Sequence, residues 1–214
     1  MADPSAAPAA KKGPQAEHPA PAAPVAPLDV LEAVPVSGVT LSNPTNPVVF
    51  LDVSIDGAAA GRVKIELYAD KAPRTAENFR QLCTGATKRN GLPAGYKDAP
   101  ILRVVPNLVV QGGDFVRRDG TGTFSIYGDV FTDEPAALAL SHDRPGVVSM
   151  ANAGKDRNGC QFMVTLQPAT SLDGKHAVVG QVVAGMDVLH KLEGVALRGD
   201  RPIPPVVISM CGQL

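Results

Sequence analysis

The chain has 214 residues and a formal net charge of −1, which gives no electrostatic argument for nucleic acid or an anionic membrane as a direct partner. Its three cysteines, Cys83, Cys160 and Cys211, stand far apart with no C-x-x-C pair and no histidine at ligand spacing. That pattern argues against a zinc site, a metal cofactor or a disulfide framework, and for a reducing compartment. No run of eighteen apolar residues occurs and no basic-then-apolar signal opens the chain, so the expectation is a soluble protein of the nucleus or cytosol.

The length suits one domain, residues 47–214, behind an N-terminal extension, residues 1–46. Residues 1–27 are almost entirely Ala and Pro, with little to bury, and are expected to be disordered. Leu28, Leu31 and Val34 then recur at helical spacing before Pro35. A turn or two of helix fits them, although a slightly apolar linker is the preferred reading.

From Val48 the pattern turns to strands. Val48 to Ile55 and Arg62 to Tyr68 flank Asp56-Gly57 and Gly61, and the second run alternates apolar with charged residues. A hairpin joins them, with a loop expected to be longer than the tightest kind. Pro73 suits a first helical turn, Ala76, Phe79 and Leu82 follow on one face, and Gly85 ends the helix. Residues 86–100 read as a Gly- and Pro-rich loop, and the basic pairs Lys88-Arg89 and Arg117-Arg118 read as solvated charges.

Ile101 to Phe115 is two short β-branched runs broken by Pro106-Asn107, a strand–turn–strand signal. Arg103 sits inside the first run and Gln111 closes the second. A strand arginine cannot shed its charge, so it needs a hydrogen-bonding partner, a ligand or solvent. Asp119-Gly-Thr-Gly-Thr123 reads as a glycine-rich turn without phosphate-binding spacing. Further strands are expected over 146–151, 161–166, 176–183 and 205–211, with a short helix from Met186 to Leu192. About eight strands and two helices make a mostly β domain with the spacing of a small antiparallel barrel.

Four stretches together resemble the cyclophilins, a family of peptidyl-prolyl isomerases, over about residues 47–214. They are the Arg103 stretch itself, Ser149-Met-Ala-Asn-Ala-Gly-Lys-Asp-Arg-Asn-Gly-Cys-Gln-Phe162, Leu172-Asp-Gly-Lys-His176, and Ala72-Pro-Arg-Thr-Ala-Glu-Asn-Phe79, with Cys211-Gly212 closing the chain. The resemblance implies a closed eight-stranded antiparallel β-barrel capped by two helices. The insertion Thr87 to Tyr96, with Val48-Val49, Val53 to Ile55 and Pro205 to Ser209, is similar to the cyclophilin H type, a component of the spliceosome. That likeness implies small nuclear ribonucleoprotein proteins as partners, beside proline-containing peptides, for a monomer that touches neither nucleic acid nor membrane.

The resemblance also implies a site. Arg103 is its hydrogen-bond donor, held by Gln111. Asn152 binds the substrate backbone, with Ala151 and Ala153 leaving room, and Leu172 and His176 wall the proline pocket. Val109 and Gln161 fall among the substrate-binding positions, and Thr121 and Asp129 on the rim of a second pocket. Leu108 and Met163 stand where the family commonly has phenylalanines, and Ser171 where it often has the tryptophan used for cyclosporin. Ile101-Leu102 replaces the usual Phe-His. Two readings follow: an isomerase slowed by these changes, with weak cyclosporin binding, or a proline-peptide module for assembly whose turnover is vestigial.

Overall fold

The computed structural model of the protein describes residues 41–214. The disorder expected over 1–27 and the helix considered at 28–34 lie outside the described residues.

The first two strands are β1 (Val48–Ile55) and β2 (Ala58–Leu67). Ile55 faces Ala58, so only Asp56 and Gly57 form the turn, both at positive φ (51° and 79°). The loop expected to be longer is thus a two-residue hairpin, because paired left-handed residues match the twist of the strands they join. Helix α1 (Pro73–Thr84) runs as expected, with Pro73 in its first turn and Gly85 left-handed at its end. Its first amides are capped from a distance: the Glu134 carboxylate accepts from the backbone N–H of Arg74 (3.1 Å) and Thr75 (2.7 Å).

The expected loop at 86–100 contains a second small hairpin, β3 (Lys88–Arg89) and β4 (Leu92–Pro93), around Asn90-Gly91. There follow β5 (Ile101–Val105), β6 (Val109–Gly112), a four-residue helix α2 (Pro135–Leu138), β7 (Val147–Met150) and β8 (Phe162–Thr165). A 3₁₀ turn, Thr170–Leu172, leads to β9 (Val178–Ala184) and α3 (Met186–Glu193). The chain ends in the ladder β10 (Leu197–Arg198) with β11 (Arg201–Pro202) and the strand β12 (Val206–Gln213). The short ladders, α2 and the 3₁₀ turn are too brief for a periodic pattern to announce them.

Eight strands make one antiparallel sheet in the order β12-β1-β2-β9-β7-β8-β6-β5. The sheet curls until its two edges nearly meet. Across the seam Ile208 N donates to Ala99 O (2.9 Å) and Asp98 N to Ile208 O (2.7 Å). Closure of this kind leaves little edge for another chain to pair with. Inside, Val104, Val110, Val164 and Val148 face one another in register across β5, β6, β8 and β7, all nearly or fully buried. Both long helices join the same core: α1 inserts Phe79, which meets Tyr96 and Phe162 at ring separations of 5.0 and 5.2 Å, and α3 inserts Val188, Leu189 and Leu192.

One buried carboxylate ties the chain entry to the barrel. Glu66 accepts from Ser42 N (2.9 Å), Ser42 Oγ (2.6 Å), Asn43 N (3.1 Å), Asn46 Nδ2 (2.9 Å) and Gln181 Nε2 (3.1 Å). Burial pushes its carboxyl up, but these donors outweigh burial and hold it below the usual range. A depressed folded value means that the stability is complete above the unfolded glutamate value of about 4.3. It is lost as pH falls through the lower folded value. Glu66→Gln therefore lowers stability at neutral pH by about 2 kcal/mol, since several donors lose a charged acceptor. The thermal midpoint falls by roughly 4–8 °C, and the acid limb of a pH-dependent melting series becomes shallower than in the parent. An unchanged midpoint at pH 7 rules this anchor out as a source of stability.

Candidate active site

Strand parity sorts the β5–β8 segment into two faces. The valine row fills the barrel, so the residues between these valines look outward. Arg103 pairs in register with Gln111, Gln111 with Met163, and Met163 with Ser149. Four strands thus place a cation, an amide, an apolar side chain and a hydroxyl in one outer row. Val109 lies in the next outer row, opposite Thr165, and is buried. Leu108, at the turn before it, is half-buried, and its carbonyl accepts from Leu166 N (2.8 Å).

The sequence reading has Gln111 holding Arg103, and the structure differs. Arg103 Nε donates to Asp200 Oδ2 at 2.8 Å, and Val104 N donates to the Asp200 carbonyl at 2.7 Å. The β10–β11 ladder therefore braces both the arginine and its strand. Gln111 Nε2 instead donates to Gln161 Oε1 (3.2 Å). Gln161 is fixed in turn, its Nε2 donating to Gly120 O (2.9 Å) and Gly122 O (2.8 Å).

Asp114 builds the loop that carries those two carbonyls. Its buried carboxylate accepts from the backbone N–H of Val116, Arg117, Asp119, Gly120 and Gly122 at 2.9–3.3 Å. Burial pushes the Asp114 carboxyl up, yet these amides bring it below the ordinary aspartate value. Gly122 is required here, because a Cβ would run into the Asp114 carboxylate. Together, Asp114 orders the loop, the loop orients Gln161, and Gln161 orients Gln111.

Beside this loop is a cavity of about 170 Å³ lined by Thr121, Thr123, Val130, Ala151, Ala153 and Gln161 among others. Thr121 thus stands on the expected rim. Asp129 does not line it: its side chain is exposed, its carbonyl accepts from Thr123 Oγ1 (3.1 Å), and Val130 takes the wall. Cys160 also lines this cavity, but burial pushes its thiol up to about 12, so at neutral pH it is not a thiolate.

A second cavity, about 610 Å³, opens between Asn152 and His176, with Asp133, Leu138, Lys155 and Lys175 around it. Asn152 Nδ2 donates to Lys175 O (3.1 Å). His176 Nδ1 lies 3.1 Å from Met150 O, and since a carbonyl only accepts, Nδ1 carries the proton. Burial lowers the His176 pKa, with the Met150 carbonyl opposing, so the ring is neutral at physiological pH. Leu172 is half-buried and its carbonyl receives His176 N (3.3 Å); Ser171 is exposed, and its carbonyl receives Lys175 Nζ (2.9 Å).

The expected residues therefore fall into two groups: Arg103, Gln111 and Met163 on the strand row, with Gln161 just before β8, and Asn152, Leu172 and His176 around the neighbouring loops. Asp200, Asp114 and Ser149 escape the sequence reading. An aspartate just before a glycine-rich stretch is a legible signal for Asp114. Nothing local marks Asp200, which lies 97 residues from its arginine. A further cavity, about 640 Å³, lies elsewhere, between the end of α1, the β3–β4 hairpin and Cys211, and contains none of these residues. Among the described residues no helix is long and apolar enough to cross a membrane, and no group of three or more metal-ligating side chains is assembled.

Comparison with known proteins bears on this arrangement. Residues 50–213 match the model of the cyclophilin type peptidyl-prolyl cis-trans isomerase family. The chain is 50% identical to peptidyl-prolyl cis-trans isomerase 11 of Caenorhabditis elegans over 81% of its own length and 94% of that protein. It is 51% identical to peptidyl-prolyl cis-trans isomerase CYP22 of Arabidopsis thaliana over 80% of its length and 86% of that protein. With peptidyl-prolyl cis-trans isomerase H of Rhizopus delemar it shares 52% identity over 78% of its length and 94% of that protein. A near-closed antiparallel barrel, an outer row built on Arg103 and Gln111, and half-identity across almost the whole of these relatives make the chain a member of the cyclophilin-type peptidyl-prolyl cis-trans isomerases.

Proposed function

We propose that the chain isomerises X–Pro peptide bonds at the Arg103 row, at a reduced rate, and does so in the assembly of ribonucleoprotein particles. The observation that carries the catalytic part is Arg103 itself, braced through Nε so that its Nη donors remain for a substrate. An X–Pro amide resists rotation because its nitrogen shares its lone pair with the carbonyl. In the twisted state that lone pair is free, and a fixed donor beside it stabilises this state more than the planar one. No nucleophile or proton relay is needed, which suits a site holding a neutral His176 and a protonated Cys160 thiol. Leu108, Val109 and Met163 supply an apolar floor for the ring, Leu172 and His176 its wall, and Asn152, flanked by Ala151 and Ala153, the anchor for the flanking chain. Gln161 holds Gln111 in place at the edge of this floor.

The reduced rate follows from that floor. Leucine and methionine keep it apolar but lack flat aromatic walls, and methionine specifies shape poorly. Leu108→Phe combined with Met163→Phe is expected to raise the exchange rate, non-additively because both shape one slot. Exchange spectroscopy on a short X–Pro peptide tests the whole reading: measurable catalysis by the parent supports it. An inactive parent that still binds the peptide favours the second reading, a proline-peptide module, to which Leu108, Met163 and Ser171 point.

Position 171 adds a drug prediction. Serine offers neither an indole N–H nor a large apolar face, so cyclosporin binds the parent weakly and Ser171→Trp recovers part of the affinity, on the order of 2 kcal/mol. Tight binding to the parent by calorimetry overturns this expectation. The ribonucleoprotein role, with spliceosomal proteins as partners and a nuclear or cytoplasmic address, is supported by the Thr87 to Tyr96 insertion and by the half-identity to an isomerase named H. Co-purification of the chain with small nuclear ribonucleoprotein proteins tests it.

A further inference from the structure

We infer that His142 sets the shape of the proline slot from outside it, as a positioning residue acting through Asp173. The inference rests on the reading of Leu172 and His176 as the wall of that slot.

The turn Thr170–Leu172 has no buried side chain of its own. With Leu172 only half-buried, the turn has little packing to fix it, so its place depends on its hydrogen bonds. His142, which is fully buried, grips both ends. At the front its carbonyl accepts from Ala169 N (2.7 Å), the residue before the turn. At the back its N–H (2.7 Å) and its Nδ1 (2.8 Å) both meet Asp173 Oδ1, the residue after the turn. A carboxylate only accepts, so Nδ1 carries the proton. These bonds from His142, backbone first, hold the Asp173 carboxyl below its ordinary value.

His142 Nε2 has no partner among the described residues. The ring therefore does one polar job: it aims Nδ1–H at Asp173. Of the other side-chain ties of the loop, Lys175 Nζ to Ser171 O and Asn152 Nδ2 to Lys175 O lie among exposed or half-buried groups, whereas His176 Nδ1 reaches the carbonyl of the buried Met150. Two fully buried residues therefore reach the loop: Met150 holds its far end at His176, and His142 holds the turn itself, at Ala169 and Asp173. Freed from His142, the turn and Leu172 shift against His176, which stays tied to Met150, and the slot loses its width.

The test uses the full chain and a short Ala-Pro peptide. Peptide affinity is read by NMR titration, and cis/trans exchange at saturating peptide by exchange spectroscopy. His142→Leu and Asp173→Ala are each expected to weaken binding by about tenfold, with a smaller change in the exchange rate of the bound peptide, because a wall grips planar and twisted states alike. The amide of His142→Asn donates from nearly the place of Nδ1 and restores affinity to within about threefold of the parent. The double variant His142→Leu/Asp173→Ala binds no more weakly than the worse single change. Should His142→Leu fail to fold, Asp173→Ala, at a partly exposed position, carries the comparison. Parent-like affinity in folded Asp173→Ala, or an Asn variant as weak as the Leu variant, overturns the inference. Absence of catalysis in the parent defeats the isomerase reading alone, since the affinities are still compared.

Discussion

Arg103→Ala is expected to slow cis/trans exchange of a bound X–Pro peptide by roughly a hundredfold or more, while its affinity changes much less. Losing one preorganised donor to a developing lone pair typically costs about 2.7–4 kcal/mol. Affinity is spared because the planar ground state makes little use of that donor. The donor is preorganised by Asp200, whose carboxylate takes Nε and whose carbonyl takes the neighbouring strand amide. Fold stability should hardly move, since the arginine side chain is half exposed and its ion pair is solvated. Exchange spectroscopy with a matched titration separates the two effects. Equal exchange in parent and variant would mean that the donor has been misassigned.

The largest structural effect is expected from Asp114→Ala. Five backbone N–H groups lose their acceptor at once, in a loop with no regular structure to replace it. A cost of about 3 kcal/mol or more follows. For a domain of this size that lowers the thermal midpoint by roughly 6–12 °C. Activity falls too, because Gly120 and Gly122 no longer present their carbonyls to Gln161, and Gln161 no longer aims Gln111. Scanning calorimetry beside exchange spectroscopy reads both. A variant with the parent's midpoint and rate removes Asp114 from this account.

Much of the barrel is legible in the chain. The β-branched runs around Pro106-Asn107 and the alternation of β2 announce strands, and Phe79 with Gly85 announces a core-facing helix and its end. The same parity that buries Val104 and Val110 sends Arg103 and Gln111 outward together, so that pair is legible from the alternation alone. What escapes has common physical causes. Asp200 and His142 act on residues 97 and 31 positions away, and pairing at such distances leaves no local pattern. The Asp56-Gly57 hairpin reads as loose because Ala58 to Gly61 carry no alternation, although the dipeptide alone signals a tight turn. Glu66 reads as one more charged residue on an alternating strand. Its burial is explained only by the Ser42–Asn46 segment folding over it.

The seam of the barrel gives its strands unequal security. Every strand of the sheet except β5 and β12 has a full neighbour on each side, and those two meet across a short seam at Asp98, Ala99 and Pro100 on one side and Val207 and Ile208 on the other. Arg103 stands on β5. The donor proposed for catalysis is thus mounted on one of the two edge staves of the ring, and the turn of the small β10–β11 ladder works as a hoop that holds it.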